Sequence, residues 1–293
     1  MQEHVEAVQR MQDYIERHLC EEISPAQLAE VSMFSPWHAR RLFIEYTGLT
    51  PADYIRKLRL RSTALRLRDG DERVVDIALE AGFKSVDGFQ RAFHKEFGYN
   101  PKEYATSPAP LRLFTPYGVK FRQVESRDRQ LSNARKVFIQ VIEKPARKVI
   151  LKRAATATDY WKYCEEVGCE VWGILTSIAS LSGEPVCLWL PGDYITPGTS
   201  EYVQGVEVDQ QYSGIVPEGF DLIELPAAKY MMFQGEPFLE EDYALAIEEI
   251  KDAIRKYDPT LIGYKWDYTN PRIQLEPIGS RGYIELVAIQ KKD

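Results

Sequence analysis

LAEVSMFSPWHARRLFIEYTGLTPADYIRKLRL, residues 28–60, and VVDIALEAGFKSVDGFQRAFHKEFGYNPKEY, residues 74–104, decide the fold. Shifted by fifty positions, Ser35, Arg41, Phe43, Gly48, Pro51 and Tyr54 fall on Ser85, Arg91, Phe93, Gly98, Pro101 and Tyr104. Just upstream the offset becomes 49, pairing Leu28-Ala29 with Ile77-Ala78 and Phe34 with Phe83, so that Lys84 is a single inserted residue. Identities at one offset mark two copies of one supersecondary unit.

Within the first copy Ser24 and Pro25 have N-cap and N1 chemistry, which opens a short helix with Leu28, Ala29 and Val31 inward. A turn at Ser32-Met33-Phe34 leads to a second cap, Ser35, followed by Pro36, and Gly48 ends that helix. In the second copy Asp76–Ala81 forms the first helix, Gly82 the turn, and Ser85 caps a helix that runs to Gly98. Both copies read as helix-turn-helix units. Between them, residues 51–68 put Tyr54, Ile55, Leu58, Ala64, Leu65 and Leu67 at helical spacing, a long helix joining the pair. In such a unit the second helix lies in the major groove, its first turns reaching base edges while flanking groups hold phosphates.

These residues resemble the DNA-binding domain of the AraC family, and FSPWHARRLF resembles its Rob-like members. The resemblance implies a transcriptional regulator whose partner is double-stranded promoter DNA. Carried over by position, Trp37, Arg40 and Arg41 are groove residues of the first unit, and Val86, Asp87, Gln90 and Arg91 of the second. Ser35, His38, Lys84 and Ser85 flank them. An Arg can grip guanine O6 and N7 with two hydrogen bonds, and an indole can meet a thymine methyl. The plainer reading of these arginines is contact with phosphate, or pairing with Glu45 and Asp87. Val86 and Asp87 stand where Rob-like members carry amides; an acid can accept from cytosine N4 but repels phosphate, so the second unit is expected to bind more weakly. His38 is a phosphate contact or a bystander.

Length and charge fit this reading. A chain of 293 residues suggests two domains. Net charge is −7, against a protein that coats nucleic acid by bulk positive charge, yet eight basic residues lie between Arg40 and Arg68 against Glu45 and Asp53. Such clustering is the footprint of phosphate neutralisation. Residues 156–293 carry the acid, 24 acidic side chains against 10 basic. No window is long and apolar enough to span a membrane, and MQEHVEAVQRMQDY lacks the apolar core of a secretion signal; the expected place is the cytoplasm, at the nucleoid. Cys20, Cys164, Cys169 and Cys187 lack metal-site spacing and read as reduced, packed thiols. No metal and no cofactor is expected.

Residues 108–135 hold Pro108, Pro110, Pro116 and Gly118 and the basic run Arg122, Arg127, Arg129 and Arg135, with Lys136 next to it; they read as a linker between a DNA-binding domain, 1–107, and a second domain, 136–293. Within the latter an offset of 81 brings Pro145-Ala146 and Lys148 onto Pro226-Ala227 and Lys229, and Tyr202-Val203 onto Tyr283-Ile284. Each half reads as a strand (147–152; 228–234), a helix (159–178; 238–257) and further strands (185–190 and 200–209; 261–268, 272–276 and 281–290). The expected fold class is therefore an all-α tandem helix-turn-helix domain followed by a duplicated α+β domain, with two small sheets sharing a core and a cleft between halves.

This second region is similar to the GyrI-like effector-binding domain, on the duplicated pattern, on YVQGVEVDQ and on RGYIELVAIQ. The resemblance implies that Glu285 of YIEL sits at the base of an aromatic pocket and meets lipophilic cations. Tyr283 shares its side of the strand, and Trp172, Trp189, Tyr202, Tyr230 and Trp266 are candidate walls. The plainer reading makes these aromatics ordinary core and pairs Glu285 in a salt bridge. Three functions follow: a regulator, activator or repressor, that senses a small molecule; a DNA-binding module whose tail binds a protein such as RNA polymerase; and a hydrolase using Glu276 and Glu285. No Gly-rich phosphate loop, HExxH or Ser/His/Asp order supports other chemistry, so the chain is not read as an enzyme.

Overall fold

A computed structural model describes residues 2–70, 72–116, 118–119, 136–239 and 242–292. The chain divides into two compact units, Met1–Asp128 and Arg129–Asp293.

The first unit is helical: α1 (Gln2–Arg17), α2 (Pro25–Ser32), α3 (Pro36–Thr47), α4 (Pro51–Asp69), α5 (Val74–Glu80), α6 (Val86–Phe97) and α7 (Pro101–Thr106). The caps predicted at Ser24, Ser35 and Ser85 are in place, and Thr50 and Asn100 add two more. Ser24 and Gln27 form a reciprocal capping box at α2, and Ser35, Thr50, Ser85 and Asn100 each accept a backbone N–H of the helix that follows. Such a cap contributes about 1 kcal/mol. Helices α3 and α6 both end on a left-handed glycine, Gly48 and Gly98.

Helix α4 serves two cores. Its Tyr54, Ile55 and Leu58 join Val8, Met11, Ile15, Leu42 and Phe43 under the first unit of the repeat. Leu60, Ala64 and Leu67 join Ile77, Phe89, Phe93 and Tyr104 under the second. Arg59 locks the two together: its guanidinium donates to the carbonyls of Leu19 (2.8 Å) and Glu21 (2.5 Å) on one side and Gly82 (2.8 Å) on the other. Gly82 sits at φ +81, and a Cβ there would meet that guanidinium at 2.9 Å, so the second turn requires glycine twice over. The first turn has Met33 in the matching place, at φ 63 and the one non-glycine residue with positive φ among the described residues. Since Met33 is 82% exposed and packs on little, Met33→Gly should raise the unfolding free energy by about 1 kcal/mol. Urea melts would read it, and a destabilised variant would contradict the strain.

The segment expected to begin a linker at Pro108 is in part core. Leu111 and Leu113 are buried in the second cluster and Val119 in the first. Arg61 donates to the Phe114 carbonyl (3.1 Å), and the Gln12 amide oxygen accepts the Val119 N–H (3.1 Å). Apolar residues at 109, 111 and 113 give this strap an inward face despite its prolines. The basic run from Arg122 to Arg135 lies outside the described residues.

The second unit holds β1 (Val137–Lys144), β2 (Arg147–Arg153), α8 (Tyr160–Val167), α9 (Glu170–Thr176), β3 (Val186–Trp189), β4 (Tyr202–Asp209), β5 (Asp221–Leu225), β6 (Ala228–Gly235), α10 (Tyr243–Lys256), β7 (Tyr264–Trp266), β8 (Arg272–Gln274) and β9 (Ile284–Lys291). Instead of two small sheets there is one antiparallel sheet of order β1-β6-β9-β8-β3-β4-β2-β5, with β7 on β9. The pairing of β3 with β8, Cys187 opposite Gln274 and Trp189 opposite Arg272, makes it continuous. The single helix expected over 159–178 is broken at Gly168, whose φ of +100 is outside the helical region. Strands β1 and β5 have no counterpart in the expectation.

One face of the sheet carries Val149, Leu188, Val203, Tyr230, Ile273 and Leu286. The other carries the helices: α8 and α9 cover Ile150, Cys187, Tyr202 and Val206, and α10 covers Met231, Phe233 and Tyr283. On the first face Arg147 and Glu207, at 1% and 0% exposure, form a buried ion pair at 2.5 Å. Lys144 reaches the second carboxylate oxygen at 2.6 Å. Arg147 also donates to the carbonyls of Pro145 and Pro226, both at 3.3 Å, and to the Tyr230 hydroxyl at 3.1 Å. Burial opposes its charge most, but the Glu207 carboxylate and the Tyr230 hydroxyl together hold the guanidinium above its ordinary range.

Candidate functional site

The first-turn residues of α3 and α6 are the candidate DNA-reading surface, and the structure presents most of them outward. Trp37 is 71% exposed, although an indole that large is ordinarily covered. One helical turn later Arg41 places its guanidinium 5.3 Å from the indole centroid, and Arg40 is exposed beside them. Trp37, Arg40, Arg41, Ile44 and Glu45 line a shallow groove of about 290 Å³ on this face. The i, i+4 spacing of Trp37 and Arg41 stacks them on the outer stripe, while Ala39, Leu42 and Phe43 turn inward.

On α6 the equivalent positions are Asp87, Gln90 and Arg91; Asp87 and Arg91 are exposed and Gln90 half-buried. Ser35 and Ser85 are exposed, with their hydroxyl oxygens engaged as caps to His38 N (3.4 Å) and Gly88 N (3.1 Å). Val86 is half-buried at the first position of its helix, and Lys84 is exposed, 3.4 Å from Glu22. Of the two expectations for His38, phosphate contact or bystander, its packing matches the second: its ring stacks on Phe34 at 4.8 Å and 11° and meets His4 edge-on at 5.8 Å, with Nε2 buried. The third helical position points back at the turn, so His38 packs the helix entrance.

The basic face expected from Arg40 to Arg68 contracts sharply. Along α4, Arg56 pairs with Asp53 (2.8 Å), Lys57 with Glu96, Arg66 with Glu72 and Glu80, and Arg68 with Asp69, while Arg59 and Arg61 bind carbonyls. Arg59 loses part of its preference for the charged form through burial. Among the described residues Arg40 and Arg41 are the two cations of this stretch with no acid or carbonyl claiming them. Within this stretch the free charge lies on α3, and α6 adds the exposed Arg91 and Lys95.

In the second unit the seven candidate pocket residues do not form one wall. Trp172, Trp189 and Tyr202 share one cluster, with the indole of Trp189 edge-on to Tyr202 at 5.1 Å. Tyr283 and Glu285 lie on the same helix-bearing face, and the Tyr283 hydroxyl donates to Glu285 at 2.9 Å, as strand alternation requires. Tyr230 is on the opposite face with Arg147, and Trp266 lines a separate surface groove with Tyr257 and Tyr268. Register turns Tyr230 to the other face, whereas Trp266 stays on the helix-bearing face in one cluster with Phe233 and Tyr283 but lines its own groove.

Register also gathers residues that the sequence did not single out. Glu285 on β9 lies opposite Gln274 on β8, Gln274 opposite Cys187 on β3, and Cys187 opposite Gln204 on β4. The adjoining row runs Arg272, Trp189, Tyr202, with the Arg272 guanidinium 3.8 Å from the Trp189 ring. Helix α9 lies against β4 and α10 against β6, on either side of this central pair of strands. Gln274, Arg272 and Trp189 are half-exposed, while Glu285 and Gln204 are 0% and 1% exposed. Among the described residues, five buried polar atoms here have no hydrogen-bond partner: Glu285 Oε2, Arg272 Nε, both ends of the Gln204 amide, and the Tyr202 hydroxyl. Tyr202 is within reach of Gln204 and Cys187 but meets neither in hydrogen-bonding geometry. Burial raises its pKa and that of Tyr283, the latter further because of the Glu285 carboxylate, and burial pushes the Cys187 thiol up to about 12.

Among the described residues no group of three or more His, Cys, Asp or Glu side chains is arranged to hold a metal, and no helix is long and apolar enough to cross a membrane.

With this geometry in place, comparison with known proteins is informative for the first unit. A family model described as a helix-turn-helix domain matches residues 28–107. Regulatory protein SoxS of Salmonella typhimurium is 32% identical over 101 residues, 34% of this chain and 94% of SoxS. YbfP, an uncharacterized HTH-type transcriptional regulator of Bacillus subtilis, is 41% identical over 100 residues, 34% of each chain. The right origin-binding protein of Escherichia coli is 37% identical over 122 residues, 38% of this chain and 42% of that protein. The chain therefore spans nearly all of SoxS but less than half of the other two. On the shared domain, the protein belongs to the AraC family of helix-turn-helix, DNA-binding transcriptional regulators.

Proposed function

We propose that this regulator reads a specific operator chiefly through α3 and that its second unit is a duplicated, GyrI-like effector-binding domain that senses a small molecule over β3 and β8. The observation that carries the first part is the exposed triad Trp37, Arg40 and Arg41, whose two arginines are the unclaimed cations of the Arg40–Arg68 stretch among the described residues. Arg41 grips a guanine edge, Trp37 lies against a thymine methyl or sugar, and α6 adds Gln90 and Arg91 with Asp87 limiting its grip on phosphate. Selection from a random DNA pool should enrich one sequence; equal retention of every sequence at physiological salt would sink this reading.

Two features support the second part. Strand order reads as two halves joined at β3–β8, with β2 and β6, and β4 and β9, related by the offset of 81, and with β1 and β5 each paired to the other half. Glu285 is fully buried, its one partner a phenol and its second oxygen unsatisfied, a cost that an incoming donor would relieve. A cation there gains the carboxylate and the neighbouring ring faces. By calorimetry Glu285→Gln should weaken binding of tetraphenylphosphonium about tenfold or more, the scale of one lost charge contact. Unchanged affinity would remove Glu285 from the site. The hydrolase alternative draws no support from the geometry, since Glu285 is held by Tyr283.

A further inference from the structure

Resting on the assignment of a ligand site around Glu285, we propose that this site is two-ended and takes an amphoteric amide of dipeptide size rather than a simple lipophilic cation. Glu285 meets the ligand's ammonium group, Arg272 its carboxylate, and the Gln204 side chain its amide.

The unpartnered atoms dictate this chemistry. A lone carboxylate in an aromatic cleft selects a cation and nothing more. Here the same face of the sheet also holds a guanidinium whose Nε has no acceptor and an amide whose N–H and C=O are both unmet. An apolar cation would leave those groups desolvated and unpaired. Gln204 offers one donor and one acceptor on one planar group, the complement of a peptide group. Arg272 is pre-aimed: stacking on Trp189 fixes the plane of its fork and keeps it from folding toward Glu285. The two charges are also set apart. Arg272 lies diagonally from Glu285 across the β8–β9 pair, a backbone separation of roughly 7–8 Å, and its side chain extends away toward β3. An α-amino acid, with adjacent charges, cannot touch both ends, whereas a dipeptide places one peptide group between its termini.

Glycyltryptophan, its C-terminal amide and its N-acetyl derivative form a series on one skeleton, to be titrated by calorimetry into the full chain, Arg272→Gln and Glu285→Gln, with folding of each variant checked by circular dichroism. Free glycyltryptophan should bind the unsubstituted chain about tenfold or more tightly than either capped form, the scale of one charge-assisted hydrogen bond. In Arg272→Gln the penalty for amidation should vanish while that for acetylation persists; in Glu285→Gln the reverse should hold. Equal binding of all three compounds, penalties unchanged in the variants, or no binding of the free dipeptide at millimolar concentration would each overturn the proposal. Loss of tetraphenylphosphonium binding in Glu285→Gln, alongside any of these results, would leave the ligand site standing and remove only its two-ended character; if tetraphenylphosphonium also fails to bind, both fall.

Discussion

Arg147→Ala is expected to lower the unfolding free energy of the sheet-bearing unit by about 3–5 kcal/mol, the cost of stranding a buried charge. Glu207 has no exposed surface, and in the variant its carboxylate would depend on Lys144 alone. The side chain also holds the Pro145 and Pro226 carbonyls, so both turns of the duplicated pattern lose a donor with it. The pair as a whole is a different matter, because desolvating two ions offsets most of their attraction. Arg147→Met combined with Glu207→Met should therefore recover most of the loss, Lys144 being near enough to the surface to find water. Urea melts of the full chain and the two variants give the comparison. A loss below about 1 kcal/mol for the single change would mean that water reaches Glu207.

Arg41→Ala is expected to weaken binding to the selected operator by about 1–3 kcal/mol, with base preference relaxed at one position. Two outcomes separate readout from anchoring. If Arg41 grips a base edge, affinity for scrambled duplex barely changes, and Arg41→Lys fails to restore the specific site because it lacks the planar fork. If it neutralises phosphate, all sequences lose affinity alike and the salt dependence becomes shallower. Anisotropy titrations on selected and scrambled duplexes at several salt concentrations decide between them.

The helical unit was legible in the sequence because cap chemistry is local: Ser24, Ser35 and Ser85 each act on a backbone N–H within three residues. Helix α1 escaped the repeat because the second copy has no equivalent, although Val5, Val8, Met11 and Ile15 mark its buried face at helical spacing. The strap past Pro108 read as linker because prolines hide an inward face that only a folded partner reveals. Counting charges overstated the basic surface, since a sequence cannot show that Arg59 and Arg61 spend their donors on carbonyls 23 to 53 residues away. In the sheet, alternation correctly joined Tyr283 to Glu285, yet Gln204, Gln274 and Arg272 were invisible as a group because cross-strand register belongs to tertiary pairing. Strand β1 lacked a signal for a related reason: as an edge strand it leaves Phe138, Ile139 and Val141 exposed, without a clean polar side.

The grip of Arg59 on Leu19, Glu21 and Gly82 has a consequence for the genes under control. Because one guanidinium ties the loop after α1 to the turn before α6, the two reading helices keep a fixed phase, like teeth cut on one gear. On the proposed reading, the letters of an operator can drift over evolutionary time and be compensated elsewhere. The interval between its two halves has no such freedom, since a single added base pair turns one half away from the tooth that must engage it.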